Sequence, residues 1–125
     1  MQPAHRHRGD HAETIAAAFL ALNGYHILER NFRYSRLEID LLAEKEGVLL
    51  VVEVKYRRRT RLGGARGAVS AQKQRDLETA ALGYLRVTGR TARVRFDVIV
   101  VEGTEDGLTL CHLRGAFPAS GRYRA

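Results

Sequence analysis

The stretch LEIDLLAEKEGVLLVVEVKYRRR, residues 37–59, reads as two apolar strands joined by a tight turn at Glu44 to Gly47. Neither segment alternates cleanly between apolar and polar, so both read as strands covered on both faces of a sheet. Yet they carry Glu38, Asp40, Glu53 and Lys55. Ionised groups are costly to bury unless something compensates them.

Side chains alternate across a strand. The first segment therefore puts Leu37, Ile39 and Leu41 on one face, and Glu38, Asp40 and Leu42 on the other. The second puts Leu49, Val51, Glu53, Lys55 and Arg57 together. Two hairpin registers are open. With Glu46-Gly47 as the loop, Asp40 falls opposite Glu53. With Lys45-Glu46 as the loop, Asp40 faces Val51 and Glu53 is its diagonal neighbour. Either way the two carboxylates share a face, and like charges placed opposite each other repel. A shared proton or a cation relieves that repulsion. A hard divalent ion, Mg²⁺ or Mn²⁺, takes such oxygen donors and would polarise a phosphoryl oxygen. Lys55, on the same face, would orient water or offset charge at phosphorus. A structural ion pair of Lys55 with Glu53 or Asp40 accounts for the same residues without any metal.

Around this hairpin the remaining elements follow by pattern. Residues 1–9 read as a disordered polar tail. Asp10 caps a first helix, with Glu13 completing a capping box and Ile15, Ala16, Phe19, Leu20 and Leu22 as its apolar stripe. Asn23-Gly24 ends it. YHILERNFRY is a strand before the hairpin. Ser70 caps a second helix whose inward residues are Leu77, Ala80, Ala81, Tyr84 and Leu85. ARVRFDVIVVE and GLTLCHL are two further strands, and the tail from Arg114 reads as loose. The order α-β-β-β-α-β-β makes one α/β domain over residues 10–113, a mixed sheet with helices packed on it.

A chain of 125 residues is the size of one domain, and 45% hydrophobic content is enough to give it a core. The single cysteine, Cys111, excludes an intrachain disulfide and suits a reducing compartment. The basic N-terminus has no apolar segment behind it, and no run is long enough to span a bilayer. The reading is of a soluble, cytoplasmic protein without a membrane partner.

The net charge of +7 favours a polyanionic partner, nucleic acid before an anionic membrane surface. From Val54 to Arg75 no acid occurs. Arg57, Arg58, Arg59, Arg61, Arg66 and Lys73 in that span are candidate phosphate contacts, positioning DNA without reading its sequence. Lys73 would stand in the first turn of the second helix, where the dipole disfavours a cation unless a phosphate is present. Gly63, Gly64 and Gly67 loosen the basic loop but lack P-loop spacing. Asp97 reads as a buried acceptor of backbone hydrogen bonds or a partner of Arg95 or Arg93. His5, His7 and His11 read as a polar tail rather than metal ligands.

Asp40 followed by Glu53-Val54-Lys55 on the next strand resembles the D…(D/E)-x-K pattern of the restriction-endonuclease-like, PD-(D/E)xK nuclease superfamily. Glu13 with Ala17, then RNFR, EIDLLA, VVEVKYR, AVSAQKQ and RFDVIV, resemble the YraN family of small bacterial proteins over about residues 10–102. Leu37 and Ala12 stand where that family usually has glycine. The pattern is also similar to that of Holliday-junction resolvases. The resemblance implies a restriction-endonuclease-like fold and a Mg²⁺- or Mn²⁺-dependent endonuclease that hydrolyses DNA phosphodiester bonds, with branched DNA as one substrate class. It implies Asp40 and Glu53 as metal ligands, Lys55 as the catalytic lysine and Glu13 as a further acid from the first helix. A homodimer would suit the resolvase likeness. The alternative is a non-catalytic nucleic-acid-binding protein on the same fold, acting in DNA repair, recombination or uptake.

Overall fold

The structure is a computed structural model; it describes the backbone of residues 4–58 and 68–119, and the side chains from residue 10 onward within those spans. The elements are α1 (Ala4–Leu22), β1 (His26–Tyr34), β2 (Leu37–Lys45), β3 (Val48–Arg58), α2 (Ala71–Thr88), β4 (Arg93–Thr104) and β5 (Gly107–Phe117). The five strands form one sheet in the order β1-β2-β3-β4-β5. Only the β3–β4 pair is parallel, and α2 makes the crossover between those strands. This is the single α/β domain with a mixed sheet that the element order implies, and it is consistent with a nuclease-like core.

Each helix covers one apolar cluster. Ala12, Ala16 and Leu20 of α1 pack with Leu41, Ala43, Leu50, Val52, Ile99 and Val101. Leu77, Ala80, Ala81 and Tyr84 of α2 pack with Ile39, Leu42, Leu49, Val51, Phe96 and Phe117. β2 and β3 are thus buried on both faces, which is why their sequences run nearly continuously apolar. The Glu46-Gly47 loop takes positive φ at both residues, 52° and 79°, the primed geometry that suits a two-residue hairpin. Lys45 therefore pairs with Val48, the first of the two registers.

Three local expectations change. Helix α1 begins at Ala4, so Asp10 lies inside it and is no cap. Glu13 is freed from a capping box, and the Asp10 carbonyl accepts from Thr14 Oγ1 instead. Leu22 is 87% exposed rather than part of the stripe, and Ala12 is buried in its place. Strand β5 continues past Arg114 to Phe117, whose ring stacks on Phe96 at 4.7 Å. The ends of α1 and α2 agree with the sequence. Gly24 has φ 85° after α1, and Ser70 accepts from the Lys73 amide at 3.1 Å before α2.

The largest departure is in the pleat. On β2, Leu37 and Ile39 pack with the α2 cluster, whereas Leu41 packs with the α1 cluster. On β1, Phe32 lies edge-on to Tyr84 of α2, whereas Arg30 reaches Thr14 of α1. Both strands therefore change face between these pairs, at Asn31 and Asp40. Asn31 has φ 53°, and the β1–β2 ladder skips this pair. A left-handed residue inside a strand turns the backbone and breaks the two-residue alternation. Leu37, Ile39 and Leu41 consequently do not share one face.

Candidate active site

Asp40 sits at the pleat reversal of β2, where the β2–β3 ladder has just ended at Leu41 and Val52. The strands separate there. The Val54 amide, beyond the last ladder pair, donates to the side chain of β2 instead, to Asp40 Oδ2 at 2.8 Å. The carboxylate thus lies between the strands rather than on either face. Glu53 hydrogen-bonds it from β3. Burial, then this hydrogen bond and the charge of Glu53, push the Asp40 carboxyl up to about 8, against the pull of the Val54 amide and of Lys73. At neutral pH the Asp40 carboxyl therefore favours its protonated form.

Glu13 reaches the same neighbourhood from α1. Its Oε1 is buried and has no hydrogen-bond partner among the described residues. Burial, then the charge of Asp40, push the Glu13 carboxyl up to about 7, while Arg30 opposes the rise and Asp10 and Glu38 add to it. A buried carboxylate oxygen with nothing to accept from is an unmet demand for a donor or a cation. All three acids offer oxygen only, the donor type that Mg²⁺ and Mn²⁺ take. They fit such an ion in chemistry. As they stand, no three His, Cys, Asp or Glu side chains among the described residues close into a ligating group.

The two lysines exchange their expected places. Lys55 shares the parity of Glu53, but its Nζ donates to the Ala68 carbonyl and makes no ion pair with Asp40 or Glu53. Lys73, expected among the phosphate contacts, reaches Glu53 instead, with Nζ 3.6 Å from Oε2. The first turn of α2 thus brings its lysine to the one acid of β3, Glu53. The signal in the sequence is the lysine in that first turn, which the helix dipole disfavours without a nearby anion.

The rest of the basic run divides. Arg57 lies 3.8 Å from the buried Glu102 and so has a structural partner. Arg58 is exposed. Arg59, Arg61 and Arg66, with Gly63, Gly64 and Gly67, lie outside the described residues, as do the side chains of His5 and His7. Glu38 meets Arg33 at 3.7 Å on the surface. His11 is exposed and Cys111 is half-buried on β5.

Residues 12–101 match the family described as Uncharacterised protein family UPF0102. The chain belongs to UPF0102. A UPF0102 protein of Symbiobacterium thermophilum is 46% identical over 116 residues, covering 91% of this chain and 98% of the relative. A UPF0102 protein of Desulfosudis oleivorans is 42% identical over 113 residues, covering 90% of each. One from Chlorobium chlorochromatii is 40% identical over 115 residues. UPF0102 is the YraN-like group that the sequence motifs resemble, and its matched span contains Glu13, Asp40, Glu53, Lys55 and Lys73. No helix among the described residues is long and apolar enough to cross a membrane.

Proposed function

We propose that this UPF0102 protein is a divalent-metal-dependent nuclease cutting DNA at the Asp40–Glu53 end of its sheet. The observation that carries the reading is the placement of the Asp40 carboxyl beside that of Glu53. Two acids are placed against each other between separating strands, where ionising both needs a cation. Asp40 and Glu53 would hold Mg²⁺ or Mn²⁺, with Glu13 adding a third oxygen donor from α1. The ion would lower the pKa of bound water and polarise a phosphoryl oxygen. Lys55 and Lys73 bring two ammonium groups to this end of the sheet, able to offset charge that develops on a phosphodiester. Arg58 and the basic loop after it supply cations for the DNA backbone, whose contribution is sequence-independent and salt-sensitive.

A second reading has its own support. Lys73 already neutralises part of the acidic pair, and Lys55 is engaged by a loop carbonyl. A non-catalytic DNA-binding protein on the same fold would need no more than this.

One experiment separates the readings. Mn²⁺ is titrated calorimetrically into the protein and into Asp40→Asn. Linear, flapped and branched DNA are then incubated with each metal, beside Lys55→Ala and Glu53→Gln. The nuclease reading expects Mn²⁺ binding lost in Asp40→Asn, and cutting lost in both other variants. DNA retained without cutting under Mg²⁺ and Mn²⁺ gives the case to the second reading.

A further inference from the structure

A second polar site lies on the α1 side of the sheet, at the irregularity where β4 pairs with β5. Its centre is Asp97, 1% exposed, with four donors around it. Arg95 grips it with Nε at 2.9 Å and Nη2 at 2.8 Å. The Gly115 amide donates at 3.0 Å. His112 Nε2 lies 2.7 Å from Oδ2 and donates, since an ionised carboxylate only accepts. Gly115, at φ 59°, belongs to a β5 bulge that folds over Asp97 and leaves Arg114 beside a groove.

That groove joins two cavities of about 100 and 280 Å³ that share Tyr25, Lys45 and Arg114. Arg95 lines the first, and Phe19 and His112 line the second. The cations in it are unevenly satisfied. Arg95 spends Nε and Nη2 on Asp97, with Nη2 also reaching the Tyr25 hydroxyl at 3.1 Å, while Nη1 has no protein partner among the described residues. Arg114 has no ion pair or hydrogen bond among them. Lys45 Nζ donates only to the Asn23 carbonyl at 2.9 Å, and sits 4.9 Å above the Tyr25 ring. The sole acid lining either cavity is Glu46.

We infer that this groove binds a phosphate monoester, held by Lys45, Arg114 and the free Nη1 of Arg95. Lys45 and Arg114 are two cations with no carboxylate partner among the described residues, Arg95 keeps one unused N–H beside them although Asp97 neutralises its charge, and an anion on this concavity would take donors from all three. Arginine forks and a lysine point charge are the donors that recognise phosphate oxygens. The Asp97 network fixes the Arg95 guanidinium, so that its remaining donor is pre-oriented and less is lost on binding. At roughly 30 Å³ per water, the larger cavity has room for a head group and little more than one ring beyond it. Phe19 and His112, edge-on at 5.8 Å, form the apolar side where such a ring would lie. The groove is lined by β3 residues Val48 and Leu50, not by the Glu53 and Lys55 end of that strand, so the inference does not rest on nuclease activity.

The test titrates inorganic phosphate into the full chain at constant ionic strength, following amide shifts by NMR. Saturable shifts confined to Tyr25, Lys45, Arg95 and Arg114 are expected. The double variant Lys45→Gln/Arg114→Gln, at a half-buried and an exposed position, should weaken phosphate roughly tenfold or more while leaving the spectrum of a folded protein. Parallel titrations with adenosine monophosphate and with a short oligonucleotide, with and without a 5′-phosphate, identify the source. Tighter binding of the nucleotide makes the ligand a free mononucleotide. A preference for the phosphorylated strand makes it a nucleic-acid end. Shifts that track total salt, or a double variant that binds phosphate as well as the parent, overturn the proposal.

Discussion

Acidification should expose how much the fold depends on Asp97. Burial opposes the charge on Asp97, but the hydrogen bonds from His112, Arg95 and Gly115 outweigh it and hold the carboxyl down at about 2, against an ordinary value of 3.8. A folded-state value below the unfolded one stabilises the protein above the unfolded value, and the benefit disappears as pH falls through the folded one. At about 1.36 kcal/mol per unit, Asp97 contributes roughly 2.5 kcal/mol at neutral pH. That share declines from about pH 4 and is gone near pH 2. Asp97→Asn also leaves Arg95 without its counter-charge. Removing one partner of a buried pair costs about 3–5 kcal/mol, and the low end applies because the Arg95 side chain keeps 27% exposure. The expected loss at pH 7 is about 3 kcal/mol, or roughly 12 °C in Tm for a domain of this size. Urea unfolding of parent and variant at closely spaced pH values is the assay. The gap should narrow sharply between pH 4 and pH 2. A gap that stays constant across that window, or one under about 1 kcal/mol at pH 7, refutes the reasoning.

Asp40→Asn should act in the opposite sense. With a raised folded-state value, the protein loses stability as pH climbs from about 4 toward 8, so without metal the variant should be the more stable at pH 7, by roughly 2–4 kcal/mol. Equal urea midpoints there would count against a protonated Asp40. Gly83→Ala should destabilise by about 1–3 kcal/mol, because the added methyl would meet the Tyr34 ring at 2.0 Å. Tyr34→Leu in the same chain should recover part of the loss in thermal melts, and no recovery would exclude that clash as the cause. DNA affinity should fall steeply with salt, and Arg58→Ala should reduce the slope of log K against log salt by about one. An unchanged slope would remove Arg58 from the interface.

Most strands were legible from a bounding turn residue with a mechanism, though the turn at Ser35 between β1 and β2, at φ 58°, carries no such signal. The hairpin turn was legible but left two registers open, of which the structure takes Glu46-Gly47, while Ser70 and Gly24 mark helix ends. The start of α1 was not legible, since Asp10 and Glu13 mimic a cap while tertiary packing carries the helix back to Ala4. Asp40 and Glu53 could be placed together by register alone. Their depth and the lysine beside them could not. Regular alternation assigns Asp40 to a face, and only the left-handed Asn31 on the neighbouring strand removes it from one. Asparagine tolerates that conformation, yet nothing in ERNFRY distinguishes it from an ordinary polar residue. The Asp97 network joins residues from Tyr25 to Gly115 through a bulge, and a bulge leaves no periodic trace.

A β-sheet usually works as a partition, keeping whatever packs on one side unaware of the other. The reversal at Asn31 and Asp40 opens a window in that partition. Glu13 on α1 feels the charge of Asp40, and Lys73 on α2 lowers the Asp40 carboxyl, so both helices are coupled to a single side chain. The two helices are thereby tied to one another without packing together at that point. A change of charge on either should be compensated across the sheet, and a β-branched residue at Asn31 that restores the pleat would shut the window.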